Sequence, residues 1–206
     1  MAQGEYKITE MFEEAVAKYT GAPYAVALDS CSSALFLSLY YEGIKDKEIT
    51  IPSHTYMSVP CEIIHAGGKV RFEKGHAEGA YRLKPTRVYD AALRFTSDMY
   101  IENTFMCLSF TGPYKALKLG KGGMVLTDDR EAYHWMKRAR TSGRSEVSYH
   151  EDNFTMLGWN FYMMPEIATR GVQLMRGFYD GQGHPIDNPD RKVRYPNLSK
   201  FDVYRV

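Results

Sequence analysis

Tyr24-Ala-Val-Ala-Leu28-Asp-Ser-Cys-Ser-Ser33-Ala-Leu-Phe-Leu-Ser-Leu-Tyr-Tyr-Glu-Gly43 is the stretch that decides the fold. The short apolar run Tyr24–Leu28 reads as a buried strand, and Ser32 to Gly43 reads as an apolar helix with Ser residues at its start. Strand, hydroxyl-rich turn and helix make one β–α unit, and the alternation continues on both sides. Upstream, Ile8, Met11, Phe12, Ala15, Val16 and Tyr19 recur at helical spacing, with Gly21 as the stop. Downstream, Glu48–Pro52 reads as a strand and Met57–Ala66 as a helix ending at Gly67-Gly68. Lys69–Phe72, Arg87–Asp90, Met106–Phe110 and Gly123–Thr127 read as further strands. A helix from Arg130 to about Thr141 follows, with Asp129 as N-cap and Ala132, Trp135, Met136 and Ala139 on one face. The alternation predicts an α/β fold, a largely parallel sheet with helices on both faces. Ligands in such sheets bind at the carboxyl ends of the strands, and Ser30, Asp90 and Ser109 fall there.

The chain has 206 residues, 44% hydrophobic and 14% aromatic, which suits one domain with a sizeable core. Residues 1–179 read as that domain. From 180 to 206, Gly181, Gly183, Pro185, Pro189 and Pro196 interrupt any periodicity, which predicts an extended or partly disordered tail. Tyr195, Leu198, Phe201 and Val203 are its docking candidates. A formal net charge of +1 points to neither a nucleic-acid nor a membrane partner. No apolar run has the length of a membrane span, and the first residues lack the apolar core of a signal peptide. Cys31, Cys61 and Cys107 fit reduced thiols in a cytoplasmic protein, and the His residues show no metal spacing, so no metal site is expected. Gly120-Lys-Gly-Gly is not a P-loop, because no Ser or Thr follows the lysine. The run Lys137, Arg138, Arg140, Arg144 reads as a solvated helix end.

Five segments carry candidate chemistry. In Ser109-Phe-Thr-Gly-Pro-Tyr-Lys115-Ala-Leu-Lys-Leu-Gly-Lys-Gly-Gly123, a lysine follows a strand beside small and hydroxyl residues. A desolvated amine there is nucleophilic, although a turn lysine is more often a solvated surface charge. In Asp29-Ser-Cys-Ser-Ser-Ala-Leu35, Ser32 and Ser33 at a helix N-terminus suit a phosphate, and an ordinary N-cap explains the same residues. In Pro52-Ser-His-Thr-Tyr56, Tyr56 can stack on a flat ring or fill a core position. In Val88-Tyr-Asp90-Ala-Ala92, a carboxylate between apolar neighbours needs a partner; a pyridinium nitrogen is one, and a helix-capping role is the alternative. In Leu157-Gly-Trp-Asn160, the Asn160 amide can reach a phosphate across a dimer interface or satisfy its own loop.

Taken in order over roughly residues 8 to 176, these segments resemble the DegT/DnrJ/StrS family of pyridoxal 5'-phosphate (PLP)-dependent nucleotide-sugar aminotransferases, of the aspartate-aminotransferase superfamily. Asp29-Ser-Cys-Ser-Ser-Ala-Leu35 resembles its phosphate-binding Ser-x-Gly-Thr-Ala-Ala-Leu, and Asp90-Ala-Ala92 its pyridine-binding Asp-Ala-Ala. Ser109-Phe110 through Gly123 resembles its Ser-Phe…Lys…Gly-Glu-Gly-Gly, and Leu157-Gly-x-Asn160 its Gly-x-Asn. Cys31, Leu93 and Tyr162 depart from the family's usual Gly, His or Gln, and Arg. The resemblance implies a three-layer αβα sandwich around a mostly parallel mixed sheet, with the family's smaller C-terminal domain missing from this sequence. It also implies transfer of an amino group from an amino-acid donor, glutamate, to a keto-sugar nucleotide in a homodimer. Lys115 would form the Schiff base, Asp90 hold the pyridinium and Tyr56 stack on the ring. Ser32, Ser33 and Ser109 would hold the phosphate, with Asn160 from a partner subunit. The alternative is a non-catalytic or partial-subunit protein that binds PLP or a nucleotide sugar.

Overall fold

The computed structural model describes residues 4–113, 115–145, 147–148, 150–179 and 193–205. Its elements run α1 (Gly4–Thr20), β1 (Tyr24–Leu28), α2 (Cys31–Tyr41), β2 (Glu48–His54), α3 (Ser58–His65), β3 (Lys69–His76), β4 (Tyr81–Arg82), β5 (Val88–Asp90), β6 (Phe105–Ser109), β7 (Gly123–Thr127), α4 (Arg130–Ala139) and α5 (Pro165–Tyr179). Five strands form a sheet in the order β1-β7-β6-β5-β4, and β2 pairs with β3 beside it. An antiparallel bridge between Thr50 and Lys84 joins the two sheets. The pairings give β1, β2, β3, β5 and β6 one direction, and β4 and β7 the other. The five-stranded sheet is therefore mixed: β5 and β6 pair parallel and its other three pairings are antiparallel, so it is less parallel than the β–α alternation predicts, while β2 and β3 pair parallel.

Period-2 alternation along the strands builds the three layers. Val26, Leu28, Phe105, Cys107 and Val125 face one core with residues of α2, α3 and α4. Ala25, Ala27, Met106, Leu108, Met124 and Leu126 face the other, with residues of α1 and α5. The first helix ends at Gly21, whose φ of +77° is a left-handed conformation open to glycine. Ser30 caps α2 by accepting from the Ser33 N–H at 3.1 Å, and Asp129 caps α4 by accepting from the Ala132 N–H at 2.9 Å.

The basic run expected to be solvated is instead largely buried, with Arg140 only 1% exposed and Lys137 and Arg144 both buried. The reason is a carboxylate brought from α1. Glu13 accepts from Arg140 Nη1 and, at 3.2 Å, from Lys137 Nζ. Glu13 Oε1 also accepts from the Ala27 N–H at 2.8 Å, while Arg140 Nη1 donates to the Ala27 carbonyl at 2.8 Å. Edge strand β1 thus finds, in one ion pair, both partners a neighbouring strand would otherwise supply.

Residues 193–205 hold two short 3-10 turns, Leu198–Lys200 and Asp202–Tyr204. Leu198 is buried, and Tyr204 meets Phe72 edge to face at 6.1 Å. The rest of the expected tail, 180–192 and 206, lies outside the described residues. Among the described residues, no helix is long and apolar enough to cross a membrane.

Candidate functional site

Because β1, β2, β5 and β6 share a direction, their carboxyl ends open on one edge of the sheet. A cavity of about 730 Å³ lies there. Its wall includes Ser32 in the first turn of α2, Tyr56 just after β2, Asp90 at the end of β5, Ser109 at the end of β6, and Lys115 in the loop that follows. Five sequence-derived candidates are thus gathered around one space. Two others are not on its wall. The hydroxyl of Ser33 is turned onto Asp29 Oδ1 at 2.6 Å, inside the α2 cap. Asn160 is exposed, and its backbone bridges to Thr141.

Asp90 is the most constrained group in the cavity. It is 5% exposed, and burial raises its pKa, against the lowering effects of its hydrogen bonds and of Lys115. Oδ1 accepts from the Ala92 N–H at 2.9 Å, and Oδ2 accepts from the Tyr81 hydroxyl at 2.9 Å. Lys115 Nζ donates to the Ala92 carbonyl, so one residue ties the amine and the carboxylate to the same place. Cys31 Sγ, also on the wall, donates to the Cys107 carbonyl at 3.5 Å, and burial pushes its thiol up. At the mouth, Lys121 pairs with Asp29 at 3.5 Å. Gly123 lets β7 approach the β1–α2 turn closely, since a Cβ there would lie 2.3 Å from the Cys31 backbone nitrogen.

Several wall residues were not legible as site residues. Tyr81 belongs to a two-residue strand with no detectable pattern. Tyr195 lies in the segment read as a tail, yet it lines the cavity and meets Tyr56 edge to face at 6.1 Å. Its phenol is pushed up to about 12 by burial, then by the charge of Asp90. Thr55, one residue before Tyr56, bonds to Tyr81 at 2.5 Å.

A buried carboxylate, an amine, a half-exposed aromatic ring, hydroxyls and a helix N-terminus thus face one cavity, which brings together groups able to pair with a cation, stack on a ring and accept an anion. The family model for DegT/DnrJ/EryC1/StrS aminotransferases matches residues 2–96 and 101–178. The chain belongs to that family. Over 60 residues it is 45% identical to the spore coat polysaccharide biosynthesis protein SpsC of Bacillus subtilis (strain 168), which covers 28% of this chain and 15% of SpsC. Over 69 residues it is 38% identical to the UDP-4-amino-4,6-dideoxy-N-acetyl-beta-L-altrosamine transaminase of Campylobacter jejuni, covering 34% of this chain and 18% of that enzyme. Among solved structures, S. venezuelae DesV superposes with a TM-score of 0.67 at 22% identity, over 84% of this chain and 57% of DesV. Helicobacter pylori PseC, an aminotransferase of pseudoaminic acid biosynthesis, superposes with a TM-score of 0.66 at 18% identity, over 82% of this chain and 57% of PseC. At these identities the structural likeness is one of fold. The chain spans less than three fifths of the length of either solved relative.

Proposed function

We propose that the cavity binds pyridoxal 5'-phosphate and that this chain carries the catalytic lysine of a sugar aminotransferase. The reaction would move an amino group from an amino-acid donor, glutamate, to a keto-sugar nucleotide. The observation that carries the reading is the placement of Asp90 and Lys115 on one cavity wall, both bonded to Ala92.

When bound, the cofactor supplies a conjugated cationic ring that accepts the electron pair left when a proton departs the donor's α-carbon. The chain's own residues do the rest. Asp90 presents its carboxylate to the ring nitrogen and keeps it protonated. Tyr56, 49% exposed at the cavity edge, offers a face for stacking. Ser32, Ser109 and the first-turn N–H groups of α2 take the phosphate. Ser33 serves the same end indirectly, by fixing the α2 cap through Asp29. Lys115 Nζ binds the cofactor and moves the proton from the donor's α-carbon as general base and acid. Asn160, away from its own cavity, is assigned to the phosphate of a partner subunit in a homodimer.

The test is a visible absorption spectrum of the purified protein with PLP, before and after borohydride, with mass mapping of the modified residue. A yellow species trapped on Lys115, and absent from Lys115→Ala, supports the reading. A colourless protein with no adduct on Lys115 overturns it.

A further inference from the structure

We propose that Tyr81 is the positioning residue for Asp90, receiving a hydrogen bond from Thr55 and giving one to the carboxylate, so that Asp90 faces the cavity oriented and ionised. The inference deepens the cofactor reading above and rests on it for the identity of the ligand. It starts from register. In the antiparallel pair of β4 and β5, Tyr81 lies directly opposite Asp90. Directly opposed residues present their side chains to the same face, so the phenol reaches over the carboxylate. Its oxygen is 2.9 Å from Asp90 Oδ2 and 2.5 Å from Thr55 Oγ1.

The direction of the chain follows from proton counting. An ionised carboxylate only accepts, and a phenol has one proton, so Tyr81 spends its proton on Asp90. Thr55 must then donate to the Tyr81 oxygen. Each donor polarises the next, and the ends of β2, β4 and β5 are tied together by one relay. A carboxylate 5% exposed is costly to keep charged. The Tyr81 hydroxyl and the Ala92 N–H each cover one oxygen and leave the remaining lone pairs for a ligand.

The other titratable groups near Asp90 are Cys31 from α2, Cys107 from β6, Lys115 from the loop after β6, and Tyr195 from the 193–205 segment. Burial pushes the two thiols and both phenols up, so they stay neutral near pH 7. Of these side chains, Lys115 is the cation, and it bonds to the Ala92 carbonyl.

The experiment has two readouts. The first is a ¹³C-carboxylate NMR titration of Asp90 in the cofactor-free protein, with Asp90→Asn identifying the signal. Tyr81→Phe should move the Asp90 titration to higher pH, and Thr55→Val should move it in the same direction by less. The second is PLP affinity against pH. Tyr81→Phe should bind roughly tenfold or more weakly, as for loss of a hydrogen bond to a charged group, and should lose PLP at a higher pH than the parent. An Asp90 titration that is the same in the parent and both variants overturns the proposal. Should Tyr81→Phe misfold, Thr55→Val keeps the ring and decides alone, an unmoved titration overturning the relay. If the NMR shift appears but the parent binds no PLP, the positioning role stands and the cofactor reading falls. If the parent binds PLP and the titration does not move, only the positioning role falls.

Discussion

Replacing Glu13 with alanine should be among the most damaging single changes in this chain, although Glu13 is not on the cavity wall. The carboxylate is 4% exposed and serves the Ala27 N–H, Arg140 and Lys137 together. Arg140 is 1% exposed and Lys137 is 7% exposed, so truncation removes the buried anion they share and leaves Lys137 with the partly exposed Glu10 at 3.7 Å. Removing one partner of a buried ion pair typically costs about 3–5 kcal/mol. In a domain of this size each kcal/mol lowers Tm by about 2–4 °C, so Tm should fall by roughly 6–20 °C. The assay is urea denaturation and a thermal melt followed by circular dichroism. Glu13→Gln keeps an acceptor for Ala27 and should lose less. A double change, Glu13→Gln with Arg140→Met, should recover part of the loss, because the buried charge leaves with its partner. A Glu13→Ala loss under about 1 kcal/mol, the range of an exposed pair, would refute this reasoning.

Three further outcomes follow from the geometry. Gly123→Ala forces a Cβ to 2.3 Å from the Cys31 nitrogen, and the backbone shift should cost roughly 1–3 kcal/mol in denaturant melts and distort the cavity wall. Ser30→Ala removes the hydroxyl that caps α2 and should cost about 1 kcal/mol, with faster amide exchange in the first helical turn. Asp90→Asn should stabilise the ligand-free protein at neutral pH. Burial raises the Asp90 pKa in the folded chain, so keeping it ionised lowers stability above the unfolded carboxylate pKa, and the cost disappears as pH falls below that value. Melts at neutral and acid pH test this, and an advantage that grows on acidification would contradict it.

The fold was legible because its elements carry strong local patterns. Tyr24–Leu28 and Gly123–Thr127 are short and apolar, each preceded by a proline or glycine and followed by an aspartate, and α1 and α4 keep clear helical spacing. β4 was not legible, since two residues cannot display a period. The gathering of Ser32, Tyr56, Asp90, Ser109 and Lys115 was legible for a topological reason, as each follows or ends an element at the same edge of the sheet. Tyr81 escaped with β4. Tyr195 was legible as a residue that could dock on the body but not as a wall of the cavity, because glycine and proline nearby signal irregular backbone, and irregular backbone does not say which surface a side chain reaches. The basic run was misread because helical spacing shows which face a charge occupies, but not that a carboxylate more than a hundred residues earlier will meet it.

The segment 193–205 gives the cavity a surface outlet. Val193 and Tyr195 line the cavity, Leu198 is buried as an anchor, and Val203 stands 72% exposed. A molecule that fills the space touches the same strip of chain that a protease or a fluorophore meets outside. Binding therefore raises the free energy needed to peel that strip away, by RT times the logarithm of one plus the ratio of ligand concentration to its dissociation constant. A dye attached at position 203, or the rate of cutting at Lys200, would then report cavity occupancy without any knowledge of the reaction.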